Sequence, residues 1–195
     1  MNTTFLTSIA KTGAAKGVES LAKLLKVPVK VAKPANAQLM NLDEVITRLG
    51  QTDYGHGLAL FLEVTGELEG KVLITFTQED IARICRLIPR VPKEAGPEHP
   101  LVRSALLEMC NILASSFMSA IAEYTDLDYL ANPPEMTIDM LDAVFISVLT
   151  SICQTAGPVV YFDTELIIDV ERFYGKILYF PSPGAIKKML SRGGK

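Results

Sequence analysis

The chain has 195 residues, enough for one sizeable core or for two small lobes sharing one. Hydrophobic residues make up 49% and charged residues 21%, a globular balance, and a net charge of -3 gives no general pull toward nucleic acid or anionic lipid. The uninterrupted apolar runs are short, as in "LALFL" at 58–62, and the start "MNTTFLTSIAKTGAAKG" lacks the regions of a signal peptide, so a cytoplasmic protein without a membrane span is expected.

In chain order, helical periodicity over about 4–25 comes first, followed by the proline-marked extended stretch "KVPVKVAKPANAQLM". Further on, "ELEGKVLITFTQEDIARICRLI" reads as a turn, a strand opened by Gly70-Lys71 and a helix. The segment "LIPRVPKEAGPEHP", about 87–100, holds four prolines and reads as a connector. The pattern then repeats. A helix over about 100–125 precedes the extended stretch "LDYLANPPEMTIDM", and "RFYGKILYFPSPGAIKKML" parallels the earlier turn–strand–helix, with Gly175-Lys176 expected to open its strand.

The expected fold class is therefore α/β of the α+β kind. It is a single domain of two pseudo-symmetric helix–strand–strand–strand–helix halves, with helices packed against a mainly antiparallel sheet. Repeat 1 covers about 1–90 and repeat 2 about 101–195, and neither copy is expected to bury its sheet face alone.

The helix over 100–125 carries Ser104, Glu108 and Asn111 within roughly 60° of one another, with Ser115 extending the strip. The opposite side holds Val102, Leu106, Met109, Leu113, Phe117 and Ala120, widened by Leu107, Cys110 and Ala114. The prediction is a mostly buried helix with one narrow polar strip facing outward. At a constant offset, Ser104, Glu108 and Asn111 correspond to Thr4, Ser8 and Lys11, and Pro134 to Pro34. The scaffold is repeated, but the acid–amide pair occurs once. A Glu and an Asn at i, i+3 on a helix are commonly no more than a solvated face, and the competing reading of this strip is a site.

The arrangement Ser104-x3-Glu108-x2-Asn111-x22-Pro134 resembles the motif of the CheC/CheX/FliY phosphatases of bacterial and archaeal chemotaxis. "SIAKTGAAKG" at 8–17 and "GELEGKVLITFTQEDI" are similar to further blocks of that family, and the likeness covers nearly the whole chain. The two-copy organisation favours CheC over the shorter CheX. FliM and FliY carry appended segments, and the chain here begins almost directly in its first helix. The resemblance implies a phosphatase acting on a phosphorylated CheY-type response regulator. That regulator supplies its own Mg2+ and a lysine, so no cofactor of the chain's own is expected. It further implies that Glu108 and Asn111 are the catalytic pair, with Asn111 orienting the attacking water and Glu108 pairing with the regulator's lysine. An amide suits this task because its oxygen accepts and its NH2 donates, so it fixes a water without ionising. Ser104 flanks the contact, and Pro134 shapes the neighbouring loop or serves the fold, since Pro34 stands at the same offset. Thr4, Ser8, Lys11 and Pro34 form a degenerate first site, expected to be inactive. The alternative implied by the resemblance is a non-catalytic adaptor that binds CheD or the regulator.

Other candidates carry less. His56 and His99 sit in loop-like settings without ligand partners at metal spacing, so no metal site is expected. "TGAAKG" at 12–17 lies inside a helix, unlike a phosphate-binding loop. Cys85, Cys110 and Cys153 each lie among apolar neighbours and read as buried free thiols.

Overall fold

The computed structural model describes residues 3–33, 35–50, 55–92, 94–152 and 157–193. Helix α1 (Thr3–Leu25) leads into strands β1 (Val29–Val31) and β2 (Asn36–Met40), helix α2 (Leu42–Gly50), the hairpin β3 (His56–Gly66) and β4 (Gly70–Thr77), and helix α3 (Gln78–Leu87). The second half repeats this order: α4 (Pro100–Thr125), β5 (Tyr129–Ala131), β6 (Glu135–Met140), α5 (Leu141–Ile152), β7 (Val159–Ile168), β8 (Glu171–Pro181) and α6 (Pro183–Arg192). The α+β class, the internal repeat and the antiparallel sheet are as expected. Each half adds a fourth strand and a short helix, α2 or α5, to the expected unit. Asn41 shows why α2 starts where it does: its Oδ1 accepts from Glu44 N at 2.8 Å while Glu44 Oε2 accepts from Asn41 N at 2.8 Å, a reciprocal cap.

The eight strands form one sheet, and the two halves are interlaced in it. The central path runs β7–β8–β4–β3. The first half's β1 and β2 pair with β7 of the second half, and the second half's β5 and β6 pair with β3 of the first. Each half thus completes the other's sheet.

The copies keep step closely. Lys26 and Asp126, 100 positions apart, both end a long helix in the left-handed conformation, at φ 60 and φ 53. Thr77 and Ser182, 105 apart, cap α3 and α6 with their hydroxyls. The change of offset, from 100 to 105, arises in two places. Met40 pairs with Val159 and Met140 with His56, so β3 and β7 already stand 103 positions apart, and β8 runs longer before the cap Ser182 than β4 does before Thr77. Gly175 and Lys176 therefore lie inside β8 and do not open it, whereas Gly70 does open β4.

One face of the sheet packs under α1, α3, α4 and α6, and the other under α2 and α5, each with its own apolar cluster. Helices α1 and α4 run antiparallel across the first face. A Cβ built on Gly13 would lie 2.8 Å from the Phe117 ring and 3.0 Å from its Cα, and one on Gly17 would lie 3.3 Å from Leu113. Glycine costs a helix about 0.5–1 kcal/mol, and here that cost is offset by letting two large α4 side chains reach the α1 backbone. "TGAAKG" is thus a packing notch. Phe117 continues from it to Phe162 of β7, with ring centroids 4.7 Å apart. Helix α4 is long and apolar enough to cross a membrane, but here it is a core helix, with Val102, Leu106, Met109, Leu113, Phe117 and Ala120 all buried.

Candidate functional site

The α4 polar strip is where the 3.6-residue period predicts. Ser104 and Glu108 are exposed, and Asn111 and Ser115 are half-buried. Of the flanking apolar residues, Cys110 and Ala114 are buried and Leu107 is half-buried. Among the described residues, neither the Glu108 carboxylate nor the Asn111 amide has a side-chain hydrogen bond or ion pair. Most other carboxylates near the core are spoken for: Asp80 is held by Thr77 and Arg83, and Glu165 by Arg172 and Lys33. The strip therefore presents an acid and an amide, one turn apart, with their polar atoms free to meet another molecule.

Two walls frame it. On one side, Ser104 and Glu108 line a surface pocket of about 360 Å³ together with the end of α1 and the segment just after α3. On the other, Arg103 donates to the Met136 carbonyl at 3.2 Å, fastening the start of β6 to the same turn of α4. Pro134, half-buried, immediately precedes β6, two residues before that anchor.

The degenerate strip lies at the opposite end of the helix pair, because α1 and α4 are antiparallel. Thr4 and Lys11 are exposed, and Ser8 is half-buried with its hydroxyl donating to the Thr4 carbonyl at 3.1 Å. Nearby, Thr12 donates to Tyr124 at 3.4 Å, and Lys16 pairs with Glu123. Pro34 lies outside the described residues. The two strips are thus separate surfaces, each formed by one helix, and only α4 carries an acid and an amide.

Three further expectations meet the structure here. His99 caps α4, its Nδ1 accepting from Leu101 N at 3.3 Å, and His56 opens β3 as an exposed strand residue, so neither stands in a free loop. Among the described residues no three of His, Cys, Asp and Glu converge as metal ligands would. Cys85 and Cys110 are buried and unbridged, and complete burial pushes the Cys110 thiol up to about 12; Cys153 lies outside the described residues.

The chain matches no family model. It is 27% identical over 165 residues to the CheY-P phosphatase CheC of Bacillus subtilis, a match covering 83% of this chain and 78% of that protein. FliY of Thermotoga maritima superposes with a TM-score of 0.70 at 18% identity, over 98% of this chain and 94% of FliY. A FliM middle domain from Vibrio alginolyticus gives 0.62 at 14% identity over 95% and 99%. CheX of Borrelia burgdorferi, in a complex with CheY, BeF3 and Mg2+, gives 0.50 at 13% over 86% and 94%. The chain is thus similar to CheC over most of its length and shares the fold of FliY, FliM and CheX. At these identities the structural matches speak for the fold, and the CheC likeness reaches across most of the sequence. In this CheC-type fold the Ser-x3-Glu-x2-Asn strip occupies the outer surface of α4. Sequence reasoning missed the pocket beside it. The available signal was a size difference at constant offset, with Ala105 standing where the first copy has Phe5.

Proposed function

We propose that the chain is a cytoplasmic phosphatase for a phosphorylated CheY-type response regulator, working through one strip, that of α4. The observation that carries the reading is the unpartnered Glu108–Asn111 pair on an exposed helical face, at the spacing shared with the CheC/CheX/FliY type. The CheC relative, itself a CheY-P phosphatase, and the CheX fold seen with CheY support CheY as partner.

An aspartyl phosphate is an acyl phosphate, and its transfer passes through a loose transition state that asks mainly for an in-line nucleophile and charge stabilisation. The regulator carries the Mg2+ and the lysine. What the chain adds is position: Asn111 accepts from and donates to one water, holding it opposite the leaving carboxylate without adding charge. Glu108, one turn earlier, pairs with the regulator's lysine and fixes the register of docking. It is not assigned as a general base, since a metaphosphate-like transition state needs little proton removal. Ser104 flanks the contact, and Pro134 limits the backbone where the chain enters β6.

The test is phosphate release from the Mg2+-bound, phosphorylated CheY-type regulators of the source genome. Asn111→Ala is expected to lower the acceleration by about a hundredfold or more with the fold intact, as loss of one positioned transition-state contact does. Glu108→Ala weakens it severely and Ser8→Ala leaves it unchanged. Release at the unmodified rate by Asn111→Ala sinks the mechanism. An adaptor that binds the regulator or CheD gives binding with no acceleration in any variant. The FliY and FliM likenesses make that outcome worth measuring.

A further inference from the structure

The two halves differ beside their strips in a way that bears on the partner. In the first half, the ring of Phe5 packs against the end of α6, its nearest atom 2.5 Å from a Cβ built on Gly193. The equivalent place in the second half lies between Ala105, 100 positions after Phe5, and Ile88, 105 positions before Gly193 and the C-cap of α3 as Gly193 is of α6. With a methyl group where the first half has a phenyl ring, that place stays open as the pocket of about 360 Å³. Its floor and walls are apolar, with Leu24, Ile88, Val91, Leu101 and Ala105, and its mouth carries Ser104, Glu108 and Arg90. Leu101 is 57% exposed on the rim, a large apolar side chain turned to solvent.

We propose that this pocket seats an apolar side chain, aromatic by preference, of the phosphorylated response regulator, beside the Glu108–Asn111 strip. The proposal rests on the phosphatase reading and deepens it. The first half shows what fits: a phenyl ring between the start of the long helix and the end of the short one. There Phe5 fills that place from within. Open beside α4, it offers a largely apolar socket lined in part by Glu108, the carboxylate assigned to the regulator's lysine. The oppositely charged Arg90 and Glu108 at its mouth favour a side chain flanked by polar groups of both signs. The pocket thus adds affinity and selects among regulators, while the strip performs the positioning.

Ala105→Phe fills the socket as Phe5 fills the other, and Leu101→Asp makes its rim polar without enlarging the core. For the regulator on which the unmodified chain acts, both variants are expected to raise KM by about ten- to a hundredfold, the effect of losing one buried apolar side chain, with kcat retained. A merely structural defect would lower the folded fraction, and with it the apparent kcat, at unchanged KM. Asn111→Ala should show the converse, kcat lost with binding kept. KM unchanged in both pocket variants overturns the proposal and leaves the phosphatase reading standing. If the unmodified chain accelerates nothing, that reading falls. Titration against the same regulators held active by beryllofluoride and Mg2+ then decides the pocket: weaker binding in both variants supports it, and equal binding overturns it.

Discussion

Helices α1 and α4 begin from one pattern and end with different duties. Both run along the same face of the sheet, end on a left-handed residue and carry a polar strip near their start. In α1 the small residues Gly13 and Gly17 admit Leu113 and Phe117, whose counterparts they are, and Phe5 closes on Gly193. In α4 the corresponding positions hold the large side chains that fill those notches, while Ala105 leaves its flank open. The acid and amide stand on the open half, and a hydroxyl and an ammonium on the closed one. A duplicated scaffold can thus let one copy serve packing and the other present chemistry, because the catalytic demand is confined to a few exposed side chains.

The comparison breaks most readily at the notch. Phe117 is buried between Gly13 and Phe162, so Phe117→Ala is expected to cost about 3–5 kcal/mol in denaturant unfolding. Gly13→Ala brings a methyl onto the Phe117 backbone and is expected to destabilise by about 1–3 kcal/mol despite its better helix propensity. A stabilised Gly13→Ala protein would show that the close approach is not what glycine serves there.

A smaller effect sharpens the functional side. In an Asn111→Ala background, Ser8→Glu with Lys11→Asn rebuilds the acid–amide pair on α1, but Phe5 still fills the flank. At sub-saturating regulator that chain is expected to release phosphate only slowly, and adding Phe5→Ala should raise release several-fold by lowering KM. Full recovery by the strip alone would make the open flank dispensable.

Much of this was legible because it rests on short-range pattern. The bounds of α1 and α4, the outward strip, the notch's placement in a helix and the antiparallel α+β class all follow from periodicity, prolines and the repeat. Helices α2 and α5 escaped because they are short: "LDEVITRLG" and "LDAVFISVLTSI" cover only two or three turns, and adjoining strands supply apolar residues that blur the period. The exchange of β1 and β2 for β5 and β6 is a long-range pairing with no local signal. The misplaced Gly175-Lys176 came from assuming β4 and β8 of equal length, a difference with no local signal. Glu108 and Asn111 were found by spacing, whereas the pocket depends on elements brought together from α1, α4 and the segment after α3.

The β7–β8 hairpin gives the smallest and most local contrast. In β7 stands Glu165, only 4% exposed, paired with Arg172 at 2.5 Å and with Lys33 at 3.0 Å. The Arg172 guanidinium, and after it the Lys33 ammonium, hold the Glu165 carboxyl below its ordinary value of 4.5. A carboxyl depressed in the folded state stabilises the fold above its unfolded value, and that contribution fades as pH falls through the lower folded one. Thermal stability should therefore decline below about pH 4.5, and Glu165→Gln should flatten the decline while lowering stability at neutral pH. Glu67 is likewise depressed, by the Asp128 backbone N–H and by Lys188, so some slope should survive the substitution. An acid profile identical in Glu165→Gln and the unmodified chain would assign the whole slope to carboxyls such as Glu67 and leave the Glu165 pairs without a part in acid stability.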